Sequence, residues 1–326
     1  MTLIKKIPLP ITGLILAMFV LGNLLQSDSQ LAHDGLGILA TLLLGVITLR
    51  IFADRQQFKS ELQQPVPASV FPTYSMSLMV FSTYIAAFHS QIALLVWIFG
   101  ILLHLFLLLL FTKRWVFDFH IENVFPSWLI VYIGIVTASV TAPIHQQFLV
   151  GQLFFLLGAG LIVAVLPLVL YRVYKVKKIP SVLRANITII CAPVSLLLAG
   201  YLNSFATPHK GVFFGLLLIS QLLYFFILIQ VPSFFTKAFL PSFSAFTFPT
   251  VITALSLKAA GKYLAAQNVS IPFFSVLLRF EMILAGLFIT YVFLGYLVTG
   301  LILHLKSAWQ EKSAMANDLT DEDHTS

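Results

Sequence analysis

Charge is scarce in this chain: Lys, Arg, Asp and Glu make up 10% of its 326 residues, against about 25% in an ordinary soluble domain. That leaves too little polar surface to coat a water-soluble globule and excludes large soluble domains. Cys191 is the only cysteine, so a disulfide framework is excluded too. Acidic residues number 12 against 19 basic ones. The resulting charge of +7 does not argue for nucleic acid, because in a membrane protein such an excess marks cytoplasmic loops. What is present is apolar. Hydrophobic residues make up 59% of the chain and mean hydropathy is +0.98. A bilayer crossing takes about 20 such residues, so the chain reads as a polytopic, all-α integral membrane protein.

Breaks at charge, Pro, Gly and Asn clusters divide the chain into ten apolar segments. They run 8–26, 34–53, 70–88, 91–112, 126–143, 148–171, 184–204, 211–231, 243–266 and 273–305. The first, from Ile11 to Leu25, ends without a small-x-small cleavage site and reads as a transmembrane helix rather than a signal peptide. Fifteen of the 19 Lys and Arg, from Lys5 and Lys6 through Arg172 and Arg184 to Lys312, fall in loops on one side. The positive-inside rule then puts both termini in the cytoplasm, in agreement with an even number of spans. Residues 1–309 form the transmembrane domain. The remainder, 310–326, carries Asp318, Asp321, Glu322 and Asp323 with few apolar residues and is expected to be an acidic, disordered tail.

Five short motifs recur in the odd-numbered spans: Leu9-Pro10-Ile11-Thr12, Phe71-Pro72-Thr73, Phe125-Pro126-Ser127, Ala192-Pro193-Val194-Ser195 and Phe248-Pro249-Thr250. Their prolines stand 62, 54, 67 and 56 residues apart, about one helical hairpin each, which predicts five hairpins copied from one unit. Proline within a helix frees a carbonyl and bends the axis, and in a bilayer that carbonyl needs a partner. Thr12, Thr73, Ser127, Ser195 and Thr250 are the candidates, and with Pro193 they are expected to line or brace an inner layer of five odd helices. Proline at a helix start explains Pro10, Pro72 and Pro126. It does not explain Pro193 and Pro249, which follow apolar residues of their own spans. The leucine-rich even spans read as an outer, lipid-facing layer.

The five odd spans hold no Asp or Glu, so a pathway along them offers no carboxylate to bind a cation or relay a proton. Basic groups stand towards its ends: Arg184 on one side, Lys258 and Lys262 on the other. An anion pathway follows. Glu281, in the tenth span, needs a partner, since an unpaired charge there costs at least about 2.5–3.5 kcal/mol. Reflection through the turn between Val269 and Ser270 lands on Lys258, which predicts a Lys258–Glu281 ion pair. His104, His145 and His209 show no ligand spacing, and no catalytic triad or phosphate loop is present. No metal, cofactor, enzymatic activity or nucleic-acid partner is expected.

The chain resembles a known family through Pro8-Leu9-Pro10-Ile11-Thr12-Gly13, Pro126-Ser127-Trp128, Gly134-Ile135-Val136-Thr137-Ala138-Ser139, Arg184-Ala185 ahead of Ala192-Pro193, and Phe246-Thr247-Phe248-Pro249. These residues, in this order along ten spans, are similar to the tellurite-resistance/dicarboxylate transporter family, which includes plant slow anion channels and malate and sulfite transporters. The resemblance implies a homotrimer in a cell membrane, each protomer with its own pore of five inner helices inside five outer ones. It also implies that Phe248 plugs the pore, with Pro249 as its hinge and Phe246 turned away. Small inorganic or carboxylate anions are the expected cargo, permeating passively or with weak coupling. A proton-coupled malate or dicarboxylate carrier is one alternative, and a non-transporting sensor or assembly subunit another. The long cytoplasmic regulatory segments of the plant channels are missing, and nothing marks tellurite as the natural substrate.

Overall fold

The computed structural model describes residues 7–323, with side chains for 7–301. Lys5, Lys6 and the side chains of His304, Lys306 and Lys312 lie outside the described residues. So do the side chains of the tail expected over 310–326, where the last helix continues as backbone to Asp323.

Ten helical elements frame the chain: α1 (Ile11–Leu25), α2 (Gln30–Ala53), α3 (Pro72–Ile85), α4 (Ser90–Trp115), α5 (Trp128–His145), α6 (Phe148–Val176), α7 (Ser181–Ser204), α8 (Lys210–Leu228), α9 (Pro241–Ala266) and α10 (Phe274–Asp323). No strand occurs among the described residues. Eight of these helices are long and apolar enough to cross a membrane. The other two, α1 with 15 residues and α3 with 14, are shorter, and α3 follows the brief helix Pro65–Val70 with Phe71 between them.

Packing sorts the helices by parity. The odd helices touch in a closed circuit, α1 to α3, α5, α7, α9 and back to α1, while each even helix packs on the odd helix before it. Burial agrees. In α7 and α9, 83% of the apolar window is inside the protein, against 22% in α6 and α10. Composition separates the two classes as well, with mean hydropathy of 1.3 to 1.9 in α5, α7 and α9 against 2.1 to 2.8 in the even helices: α6 presents Leu149, Leu153 and Leu156 outward, as lipid contact requires.

Three inner helices carry 3-10 stretches, while among the outer ones α6 contains Pro167 and ends in a π turn at Arg172–Val176. Ser181–Cys191 of α7 is a 3-10 helix of 11 residues, far beyond the usual three or four, and α-helix begins only at Ala192. Its Thr, Asn and Ile content is poor in helix formers. α9 repeats the device, with a 3-10 stretch over Pro241–Phe246 and α-helix from Thr247. α5 carries 3-10 turns at Gly134–Val136 and Ala142–His145.

The recurring prolines mark these junctions. Pro10 caps α1, Pro72 opens α3, and Pro126 lies two residues ahead of α5. Pro193 is the second residue and Pro249 the third of their α-helical stretches. Pro193 and Pro249 therefore begin α-helix as the other three do, and the 3-10 turns before them absorb the missing amide hydrogen.

Candidate functional site

Two cavities meet within the circuit of odd helices, the second extending outward to α2. The first, towards the basic loops, has a volume of 40 Å³, room for a few waters, and is lined by residues including Gly13, Thr73, Asn186, Pro193 and Pro249. None of its lining residues is charged. The second is a vestibule of 1050 Å³ lined by residues including Asn23, Thr137, Asn203, Lys258 and Lys262. Only Phe248 and Leu196 line both. Phe248 is 7% exposed, and with Leu196 it separates the narrow cavity from the wide one.

Phe246 is disposed differently. Its ring is fully buried against Phe235, Phe243 and Phe288, at centroid distances of 5.2, 5.2 and 5.5 Å. Two residues along a helix turn a side chain roughly to the opposite face, so one aromatic anchors α9 on α10 and the other reaches the interior.

The hydroxyls beside the prolines are all buried and hydrogen-bonded. Thr12 donates to the Leu9 carbonyl at 2.8 Å, Thr73 lies 2.8 Å from the Val70 carbonyl and 2.6 Å from Thr12, and Ser127 lies 2.6 Å from Ser69. Ser195 reaches the Cys191 carbonyl at 3.1 Å and the Thr253 hydroxyl at 3.0 Å. Thr250 reaches the Phe246 and Thr247 carbonyls at 2.8 and 2.9 Å. The partners are other carbonyls and hydroxyls, and not the carbonyls four residues ahead of Pro72, Pro126, Pro193 and Pro249. Of these hydroxyl residues only Thr73 lines a cavity, alongside Pro193 and Pro249.

Residues 13–297 match the model of the voltage-dependent anion channel family, SLAC1. The chain belongs to that family. Membership agrees with the resemblance to tellurite-resistance/dicarboxylate transporters, and it makes this a multi-pass membrane protein whose activity is anion transport across the membrane. The family consists of channels and transporters. Among curated proteins none matches the chain significantly.

In this anion transporter the expected Lys258–Glu281 pair does not form. The Lys258 ammonium bonds the Asp28 carboxylate at 2.8 Å, the Ser27 hydroxyl at 2.7 Å and the Leu24 carbonyl at 2.6 Å. Glu281 is buried with both oxygens unpartnered. Reflection through a turn matches the depth of two residues but not the faces on which they lie. Lys258 faces the α1–α2 connection, whereas Glu281 lies beside Gln221 of α8. The vestibule is accordingly mixed in charge, with Asp34 among its lining residues beside the two lysines. Arg184 is exposed at the start of α7, as expected.

His104 is buried and satisfied: Nδ1 lies 2.9 Å from Ser75 Oγ and Nε2 3.1 Å from the Val131 carbonyl, which ties α3, α4 and α5 together. Sequence reasoning missed Leu196 and Asp28. Leu196 stands three residues after Pro193, a spacing that puts both on one face, so the proline repeat held a usable signal for it. Asp28 had none, because its contact with Lys258 spans 230 residues.

Proposed function

We propose that the protein is a ten-span channel for small inorganic or carboxylate anions in a cell membrane, gated by Phe248. In this reading α1 and α3 count as crossings beside the eight longer helices, and each odd helix forms a hairpin with the even helix that follows. The odd helices line the pore and the even ones face lipid. Both termini lie in the cytoplasm with the acidic tail, and three copies assemble, each with its own pore.

The observation that carries the reading is that Phe248 and Leu196 are the side chains common to both cavities. An apolar ring in a narrow passage obstructs it and excludes water. Pro249, with no amide hydrogen, follows directly and is the hinge on which the ring swings. Around the gate no fixed charge offsets the dehydration of an anion. Permeation then follows dehydration cost, so large, weakly hydrated anions pass more easily than small ones. Lys262 and the Asp28-bound Lys258 concentrate anions at the wide mouth.

Anion current in planar bilayers, with purified wild type and Phe248→Ala, tests this. A clear rise in chloride or nitrate conductance on truncating the ring is expected. No current from either form, with the protein intact in detergent, overturns the channel reading.

A further inference from the structure

Glu281 is fully buried in α10, and among the described residues it makes no ion pair. Its surroundings are unusual for a membrane interior. Both carboxylate oxygens, both amide atoms of Gln221 and the hydroxyl of Tyr224 are buried without a hydrogen-bond partner. Gln221 lies beside the carboxylate, and Tyr224 and Cys191 are within its electrostatic reach. Acceptors and donors have gathered around the carboxylate, an arrangement that a bound proton completes, since a carboxylic acid both donates and accepts.

The charged and titratable groups of the neighbouring elements point to the same occupant. α7 contributes Cys191 and α8 contributes Tyr224, both neutral side chains. In α9, Lys258 is held by Asp28, Lys262 lines the vestibule, and the Tyr263 hydroxyl bonds the Pro208 carbonyl. The segments of α1 and Pro241–Phe246 packed on α10 contain no titratable residue. On α10 itself Arg279 is exposed while Glu281 is buried, and the two form no ion pair, so a carboxylate there would carry an unpaired charge into the membrane interior, whereas a carboxylic acid carries none.

The cluster borders α7, which supplies Leu196 beside the gate residue Phe248 of α9. Ala192 and Pro193 line the narrow cavity, while Cys191, the last residue of the 3-10 stretch, lies within electrostatic reach of Glu281. From Cys191 a line of contacts runs to the gate. The Ser195 hydroxyl is 3.1 Å from the Cys191 carbonyl and 3.0 Å from Thr253 Oγ1, which is 2.9 Å from the Pro249 carbonyl. Two hydroxyls have two protons for these three contacts. The line therefore has alternative bonding patterns, one favouring the Cys191 end and one the Pro249 end.

We propose that Glu281, Gln221 and Tyr224 form a buried proton-binding site behind α7, and that the bound proton keeps Phe248 closed, an inference that rests on the gate reading above. Loss of the proton breaks the Glu281 O–H bond and passes the proton to water. The charge left behind strains the packing of α7 against α8, and relief comes by shifting the junction at Cys191 and Ala192. The hydroxyl line carries that shift to Pro249.

Chloride flux from liposomes containing purified wild type, Glu281→Gln or Phe248→Ala, between about pH 6 and about pH 9, tests the proposal together with infrared spectra of the same samples. Wild-type flux is expected to rise severalfold with pH. Glu281→Gln, of the same shape and permanently neutral, is expected to stay at the low value throughout. The infrared band of a protonated carboxylic acid is expected in wild type at low pH, lost at high pH, and absent from Glu281→Gln. An unchanged pH response in Glu281→Gln, a response that follows sodium at constant pH, or the absence of the band at low pH overturns the site. If Phe248→Ala conducts while Glu281→Gln keeps the wild-type response, the site fails and the gate stands. If Phe248→Ala carries no flux, the gate fails, and the infrared band of wild type alone still decides whether Glu281 binds the proton.

Discussion

Lys258 Nζ of α9 lies 2.8 Å from Asp28 Oδ2 in the connection between α1 and α2, so the two helices that close the inner circuit are tied at the vestibule. The contact holds a basic group at the wide mouth and partly cancels its charge. Asp28 remains 57% exposed at its side chain, so the pair contributes little to stability and more to the local field.

Asp28→Asn should therefore raise anion conductance of a Phe248→Ala background by about twofold to tenfold at low ionic strength. The gain should shrink at high salt, where screening shortens the reach of Lys258. Currents at two salt concentrations check this, and an equal gain at both contradicts the electrostatic account.

Leu196→Ala should open the passage as Phe248→Ala does, to a smaller extent, because the two side chains line the same constriction from α7 and α9. The double variant should conduct less than the product of the separate gains, since residues that share a barrier do not act additively. Single-channel recordings of the three variants decide it.

Thr253→Val retains the shape of the side chain and removes its hydroxyl, leaving the Ser195 hydroxyl with the Cys191 carbonyl alone. A loss of about 1 kcal/mol is expected, read as a lowered Tm in detergent. Ser195→Ala should cost a similar amount, and the double variant less than the two together.

Gly134→Ala should be the more damaging change. A Cβ there would lie 2.7 Å from Met76 Sδ and 2.9 Å from His104 Cε1, and His104 is fixed on both sides by its bonds to Ser75 and the Val131 carbonyl. Overpacking of this kind costs about 1–3 kcal/mol. Thermal unfolding should show it, and a Tm equal to wild type would mean that α3, α4 and α5 separate more easily than their contacts indicate.

Much of the architecture can be read along the chain because membrane helices write their limits in composition. The ends of α2, α4, α6 and α8 fall within a few residues of the apolar segments, since charge and turn residues cannot continue into lipid. The proline motifs located the start of α-helix in α1, α3 and α5, whereas Pro193 and Pro249, read as interior to their spans, open α-helix behind 3-10 turns. Phe248 was found through family resemblance, and nothing in the composition of α9 separates it from Phe246. The 3-10 stretches of α7 and α9 were not legible, because local propensity does not distinguish a tightened helix from an ordinary one when packing selects between them.

The sequence by itself determined the helical membrane class, the proline-marked starts of α1, α3 and α5, the acid-free odd helices and the family. Each is local or periodic, set by residues that lie close in the chain. Tertiary structure alone decided the partner of Lys258, the isolation of Glu281 among Gln221, Tyr224 and Cys191, and the meeting of Phe248 with Leu196. The physical reason is closure of the circuit, where the Thr247 hydroxyl of α9 comes within 3.3 Å of the Gly13 carbonyl of α1, 234 residues away. Depth in a membrane follows from counting along a helix, but the face a residue presents depends on which helices close around it.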